Sequence, residues 1–166
     1  MNNKIISATP LILLLLTSII AWQMLGSEKK APDVMFKTIT GKKISLSNLK
    51  GKPVIVTFWA TDCPACVKEI PLFIDLYNKF HHQGLEIIAV AMTYNPPNLV
   101  VKMSKTYNIP YEIALDPRSE IAKKFGNISA IPHTFLISAD GQIIMDNLGL
   151  FDINKLSKLI TNNLKS

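Results

Sequence analysis

The sequence is poor in cysteine and in arginine, and each scarcity narrows what the protein can be. It has two cysteines in 166 residues, which excludes a framework of several disulfides and a four-cysteine zinc site. Arg118 is the only arginine, and the net charge of +6 comes from lysines scattered singly or in pairs. A nucleic-acid-binding face would cluster its basic residues. We therefore expect a solvated basic surface and no nucleic-acid partner.

Charge is also missing from a long stretch near the N-terminus. No charged residue lies between Lys4 and Glu28, and residues 11–16 are entirely aliphatic. Such a stretch is long enough to cross the roughly 30 Å hydrocarbon core of a membrane as a helix. A signal peptide would end in a small-residue cleavage pattern, which the sequence around Trp22 does not match. We predict a retained membrane anchor over residues 1–27, with a cleaved signal peptide as the alternative.

The apolar pattern of the remaining chain predicts one α/β domain over residues 34–166, after a polar linker at residues 28–33. The run Val54–Trp59 is apolar without alternation, which is typical of a central strand buried on both faces. A helix to about Phe80 and a strand at residues 85–92 complete a βαβ unit, whose strands are expected to be parallel. The later predicted elements are a helix ending near Tyr107, a strand at residues 113–115, a short helix at residues 119–125, a hairpin within residues 134–147 and a last helix capped by Asp152.

The two cysteines directly follow the predicted central strand. Cys63 and Cys66 are one helical turn apart, and Pro64 between them suits the first turn of a helix. At a helix N-terminus the free N–H groups and the dipole favour a thiolate on Cys63. Cys66, one turn further in, would then resolve a mixed disulfide. Since no second pair of zinc ligands follows, the spacing favours a redox-active dithiol over structural cysteines, and we expect no metal and no cofactor.

The residues around the dithiol resemble a known family. The shared pattern is FWATDCPAC at residues 58–66, Glu69 and Pro71 in the following helix, and Ile131-Pro132 before a later strand. This pattern is similar to that of the membrane-anchored TlpA/ResA-like thiol–disulfide oxidoreductases, which belong to the thioredoxin superfamily.

The resemblance extends from about Ala31 to the C-terminus and carries expectations about the fold. It implies a thioredoxin fold, a central mixed β-sheet flanked by helices, with a TlpA-like βα insertion at about residues 94–115. It also implies that Pro132 is in cis. Together with Trp59 and Ile131, Pro132 would shape the groove where a substrate chain docks.

Glu69 is the third catalytic candidate beside the two cysteines. The family carries a glutamate at this position that tunes the active-site thiols, whereas the buried aspartate of thioredoxin is replaced here by Thr57. A partly buried carboxyl group near two sulfurs has a raised pKa and can pass a proton to a leaving thiolate. The alternative is an ordinary surface glutamate beside Lys68.

Four further residues are expected to tune the redox properties of the dithiol. Asp62 places a negative charge beside Cys63, which opposes thiolate formation. Pro64 keeps the loop rigid, and Ala65 stands where many relatives have proline. His133 either stabilises the thiolate when protonated or is a hydrogen-bonded core histidine, and the sequence leaves both interpretations open.

The resemblance implies thiol–disulfide exchange on extracytoplasmic proteins, with this protein as the reductase and a membrane thiol reductant as its electron donor. The catalytic domain would lie in the periplasm, on a single-pass anchor in the bacterial inner membrane. A dithiol oxidase uses the same residues and differs in redox potential. A second alternative is a Cu(I) chaperone that binds the metal through Cys63, Cys66 and His133, because soft sulfur ligands suit Cu(I).

Overall fold

Seven strands share one sheet in the computed structural model, which describes residues 29–164. The strands are β1 Met35–Thr38, β2 Lys43–Ser45, β3 Val54–Trp59, β4 Glu86–Ala91, β5 Glu112–Leu115, β6 His133–Ile137 and β7 Ile143–Leu148. The helices are α1 Pro64–Phe80, α2 Pro97–Thr106, α3 Glu120–Lys124 and α4 Ile153–Leu164, with short 3-10 turns at Leu46–Leu49 and His81–Gln83. No helix within residues 29–164 is long and apolar enough to cross a membrane, and the anchor predicted at residues 1–27 lies outside the described residues.

The strand order across the sheet is β2-β1-β5-β4-β3-β6-β7. β3 and β4 are parallel, which confirms the βαβ unit that the sequence predicted. β6 pairs with the other side of β3 in the antiparallel direction, so the sheet is mixed. All six residues of β3 are buried, because strands flank it on both sides and helices cover both faces of the sheet.

Side chains of β3 point alternately into two apolar cores. Ile55 and Trp59 pack on the face covered by α1 and α4. Val56 and Phe58 pack on the opposite face, against residues of α3. The alternation follows from the two-residue period of a strand, and it decides on which face of the sheet each active-site residue lies.

Helix α1 begins and ends where the sequence predicted. Pro64 is its first residue and Cys63 its N-cap, and the helix runs to Phe80. The side chains that it buries recur at helical spacing: Cys66, Glu69, Ile70, Phe73, Leu76 and Phe80. Pro71 lies inside the helix but on its exposed side, so its ring does not enter the core.

A helix and a strand, α2 and β5, lie where the βα insertion was expected. β5 pairs with β4 in parallel and with β1 antiparallel. It therefore joins the β1–β2 hairpin to the rest of the sheet and places α2 near the end of β3 that carries the dithiol.

Residues 29–31 were expected to be linker, but they pair with the edge strand of the sheet. The Ala31 N–H donates to the Gly141 carbonyl at 2.9 Å, and the Ile143 N–H donates to the Lys29 carbonyl at 2.8 Å. β7 is the last strand of the sheet, and an unpaired edge offers N–H and C=O groups to any extended neighbouring chain. These bonds attach residues 29–31 to the sheet, and we therefore expect the folded domain to begin before residue 34.

Candidate active site

The end of β3 and the start of α1 place the two cysteines side by side. Cys63 and Cys66 form a disulfide with their Cα atoms 5.3 Å apart. Cys63 is half-buried, whereas Cys66 is 3% exposed. A disulfide in another protein can therefore reach the outer sulfur but not the inner one. This difference in exposure suits Cys63 as the attacking sulfur and Cys66 as the resolving one.

The N-terminus of α1 supports a negative charge on the outer sulfur. The Cys66 backbone N–H donates to Cys63 Sγ at 3.2 Å, so the sulfur itself caps the helix. The first N–H groups of a helix have no partner within it, and the helix dipole adds a partial positive charge there. Both effects stabilise a thiolate on Cys63 once the disulfide is reduced.

Glu69 lies one turn beyond Cys66 and is 1% exposed. Burial raises the pKa of its carboxyl group to about 7, although a hydrogen bond from the Phe151 N–H to Oε1, at 3.3 Å, works against this rise. The sequence left open whether this residue was a surface glutamate, and the structure shows a buried carboxyl group with a raised pKa. Near neutral pH such a group both accepts and returns a proton.

Glu69 and Cys66 line one small internal void beneath the dithiol. Thr57 lines the same void and hydrogen-bonds to Thr134, with the two hydroxyl oxygens 2.9 Å apart. Thr57 is where thioredoxin has its buried aspartate, so the acidic group reaches this space from α1 instead of from β3. The carboxyl group and the inner sulfur thus share a buried space closed off by neutral side chains.

Tyr111 is a residue of the site that the sequence analysis missed. It is 6% exposed and lines the void together with Glu69. Burial raises the pKa of its hydroxyl group, and the negative charge of Glu69 adds to this rise. Tyr111 stands in an apolar stretch just before β5, and nothing local to the sequence indicates that this stretch returns to the dithiol.

Ile131 and Pro132 lie beside the end of β3, next to the dithiol. Their peptide bond is cis. Pro132 is buried and Ile131 half-buried, and the Pro132 carbonyl accepts a hydrogen bond from the Gly149 N–H at 2.8 Å. Trp59 is 4% exposed and packs beneath the dithiol, lining the void, so its expected contact with a substrate stays a prediction.

Three of the four expected tuning residues lie in the loop and first turn that carry the cysteines. Asp62 and Pro64 are exposed, and Ala65 is half-buried. The pKa of the Tyr94 hydroxyl group is raised by partial burial and further by the nearby carboxylate of Asp62. The negative charge expected beside Cys63 therefore stands at the surface of the site.

His133 lies on the other face of the sheet from α1. Its ring stacks on Phe135, with centroids 4.6 Å apart, and Phe135 belongs to the core that does not include Cys66. His133 Nε2 lies 2.6 Å from Oδ1 of Asp146 on β7. His133 is thus partly buried, hydrogen-bonded to Asp146 and packed at the border of this core, and its expected role in tuning the dithiol stays a prediction.

The ligand set required by the Cu(I) alternative is not assembled. Within residues 29–164, no group of three or more histidine, cysteine, aspartate and glutamate side chains lies close enough together to hold a metal ion. His133 is occupied by Asp146 and does not join Cys63 and Cys66 in a trio.

A mixed sheet flanked by helices, with a Cys-x-x-Cys pair at the start of a helix, defines a thioredoxin-like dithiol protein. Residues 27–145 match the AhpC/TSA family. The thiol-disulfide oxidoreductase ResA of Bacillus thuringiensis subsp. konkukian is 38% identical over 122 residues, which cover 73% of this chain and 69% of that relative. The chain belongs to the AhpC/TSA family and is a thiol–disulfide oxidoreductase of the ResA-like group within the thioredoxin superfamily.

Solved structures share the fold. A putative thioredoxin from Neisseria meningitidis has a TM-score of 0.77 and 29% identity, covering 83% of this chain and 92% of its own. A putative thiol:disulfide interchange protein DsbE from Chlorobium tepidum has a TM-score of 0.75 and 25% identity, covering 82% of this chain and 96% of its own. Both names describe dithiol chemistry, in agreement with the site described above.

Proposed function

We propose that this protein reduces disulfides in extracytoplasmic proteins, with Cys63 as the nucleophile, Cys66 as the resolving thiol and Glu69 as the proton acceptor. The observation that carries the proposal is the arrangement of these three side chains. A reachable sulfur at a helix N-terminus lies above a shielded sulfur, and the shielded sulfur shares a void with a carboxyl group whose pKa is about 7.

The reaction starts from the reduced dithiol. The Cys63 thiolate attacks one sulfur of the substrate disulfide, a bond forms between Cys63 and that sulfur, and the second substrate sulfur leaves as a thiolate. Cys66 then gives its proton to the Glu69 carboxylate, and its thiolate attacks Cys63 Sγ. The Cys63–Cys66 disulfide forms, the first substrate sulfur leaves, and two electrons have passed from the dithiol to the substrate.

A protein that ends each cycle oxidised needs an electron donor. We assign this role to a membrane thiol reductant, which would reduce the Cys63–Cys66 disulfide by the same exchange in reverse. Residues 1–27 would form a single-pass anchor in the bacterial inner membrane, with the thioredoxin-like domain in the periplasm. The charge-free stretch between Lys4 and Glu28 supports the anchor. The similarity to the thiol-disulfide oxidoreductase ResA supports thiol–disulfide exchange as the reaction.

The redox potential of the dithiol tests the direction of electron flow. The full chain in lipid vesicles would be equilibrated against glutathione or dithiothreitol. A midpoint near that of thioredoxin, about −270 mV, agrees with a reductase, and one near that of DsbA, about −120 mV, would establish the dithiol oxidase instead.

Trapping tests the order of attack. In Cys66→Ser the resolving thiol is gone, so we expect the substrate to remain attached to Cys63 as a mixed disulfide that dithiothreitol releases. The matched control is Cys63→Ser, which keeps only the shielded sulfur and should trap far less. Equal trapping by both variants would contradict the assignment of Cys63 as the nucleophile.

A further inference from the structure

Large apolar side chains are exposed around the dithiol. Six such residues occur among residues 29–164: Met35, Tyr94, Leu99, Tyr107, Leu148 and Leu150. Met35 lies on β1, three strands away from β3 in the sheet. The other five belong to segments beside the end of β3. Single exposed apolar residues are ordinary on protein surfaces. A cluster of them is typical of a surface that binds another protein, a membrane or a ligand.

Three of the five belong to α2 and its flanks. Leu99 and Tyr107 line a groove whose other wall is the loop just before Cys63, and Tyr94 lies in the segment that leads into α2. The groove lies between the loop residues Thr61 and Asp62 and the side chains of Leu99, Lys102 and Met103. Its volume is about 340 Å³, which lies at the lower end of the usual range for binding pockets, about 300–1,000 Å³. Asp62 and Lys102 are its only charged lining residues. We call this space the α2 groove.

A hydrogen bond holds the two walls of the α2 groove together. The Thr61 hydroxyl donates to Oδ1 of Asn95 at 2.7 Å, and Asn95 is buried just before α2. The loop that carries Cys63 is thereby tied to the helix that lines the groove. The distance between the nucleophile and the groove is therefore set by the fold.

The remaining two exposed residues lie on the other side of the dithiol. Leu148 is paired with His133 in the β6–β7 ladder. Leu150 follows Gly149, whose N–H is bonded to the Pro132 carbonyl. Their segment is thus attached to Pro132, so apolar surface continues on both sides of the reactive sulfur.

We propose that the α2 groove binds an apolar side chain of the substrate polypeptide, within a few residues of the cysteine that Cys63 attacks. This inference rests on the proposed function and names its substrate class: extended or unfolded chains with apolar residues near their disulfide. During the mixed disulfide the substrate cysteine is bonded to Cys63, so its neighbours in sequence lie over the groove. Folded proteins bury their large apolar residues, whereas an unfolded chain presents them to such a groove.

Two peptides test the inference. Each has one cysteine held as a mixed disulfide with glutathione, flanked two residues away on both sides by leucine in one peptide and by serine in the other. The reduced full chain in lipid vesicles is mixed with each peptide, and the second-order rate of glutathione release is measured. We expect the leucine peptide to react about tenfold faster, the size of effect that burying one apolar side chain produces.

Variants locate the preference. Leu99→Ser should reduce the leucine-to-serine rate ratio to about one, and the conservative Leu99→Met should retain most of it. The matched control is Met35→Ser, which removes a similarly exposed apolar side chain from β1 and should leave the ratio unchanged. Reaction of the variants with the serine peptide reports that the dithiol is intact.

The outcomes separate the two proposals. If the reduced wild-type protein releases glutathione from neither peptide, the proposed function itself fails. If it reacts with both at the same rate, or if Leu99→Ser keeps the full preference, the dithiol works but the α2 groove does not bind the substrate.

Discussion

Glu69 shows how the position of one side chain sets its proton affinity. In the unfolded chain its pKa is the ordinary 4.5, and in the folded protein burial raises it to about 7. The folded state therefore binds the proton more tightly than the unfolded state does between these two values. By linkage, stability must fall as the pH rises through this window, and it is constant again above the folded pKa.

Replacing Glu69 with glutamine should remove this pH dependence. In the oxidised wild-type protein, we expect the free energy of unfolding to lose about 3 kcal/mol from this carboxyl group between pH 4.5 and pH 7.5. Glu69→Gln keeps the size and a hydrogen-bond acceptor but cannot ionise, so its loss over the same range should be smaller by that amount. Urea unfolding at a series of pH values measures both, and parallel curves would show that another group carries the titration.

His133 illustrates a residue for which sequence leaves the role undecided. Its place after Pro132 suggested a position near the sulfurs, but consecutive residues of a strand point to opposite faces of a sheet. The register that pairs His133 with Phe58 puts its ring against Phe135 and Asp146. That register depends on which strands become neighbours, and no local pattern specifies this.

Among the elements, the helix ends were the most predictable feature of the chain. Asp152 was expected to cap the last helix, and its Oδ1 accepts hydrogen bonds from the N–H groups of Asn154 at 2.8 Å and Lys155 at 3.1 Å. α4 then buries Leu156 and Ile160 completely. A capping side chain and an apolar stripe at helical spacing are local signals, so the sequence alone shows them.

Loss of this cap should destabilise the protein measurably. We expect Asp152→Ala to lower the free energy of unfolding by about 1 kcal/mol, since two backbone N–H groups at the start of α4 lose their acceptor. Asp75→Ala is the control, because Asp75 is exposed on α1 and the structure shows no hydrogen bond to its side chain. Equilibrium unfolding in urea compares them; similar losses in the two variants would mean that the cap contributes nothing.

At the scale of the whole molecule, backbone hydrogen bonds at the edge of the sheet set the expected N-terminal boundary of the domain. Residues 29–31 complete the exposed side of β7 near the β6–β7 turn. A fragment that begins at residue 32 lacks the two backbone hydrogen bonds that a fragment beginning at residue 29 retains. Since each is worth about 0.5–1.5 kcal/mol, we expect the shorter fragment to be less stable by about 1–3 kcal/mol.

The control for this comparison is Lys29→Ala in the longer fragment. It removes the exposed ion pair between Lys29 and Asp146, with Nζ and Oδ2 3.6 Å apart, but keeps both backbone bonds. Such pairs contribute little in water, so its midpoint in urea should match that of the unsubstituted fragment. Equal midpoints for fragments beginning at residues 29 and 32 would show that the domain begins later.

The sequence by itself determined the elements and the reactive pair. Local signals predict three features: the buried strand β3, the helix α1 from Pro64 to Phe80, and the Cys63–Cys66 pair. Each depends on periodicity or capping among residues that are close together in the chain. The resemblance of the motifs added the fold and the class of enzyme.

The tertiary structure decided which distant residues meet around the dithiol. Three features join segments that are far apart in sequence. They are the void shared by Cys66, Glu69 and Tyr111, the groove between Asp62 and α2, and the pairing of residues 29–31 with the edge of the sheet at β7. The raised pKa of Glu69 is a consequence of burial, which exists only after the chain has packed. Local sequence patterns do not predict these contacts, because long-range packing decides which residues become neighbours and which groups lose contact with water.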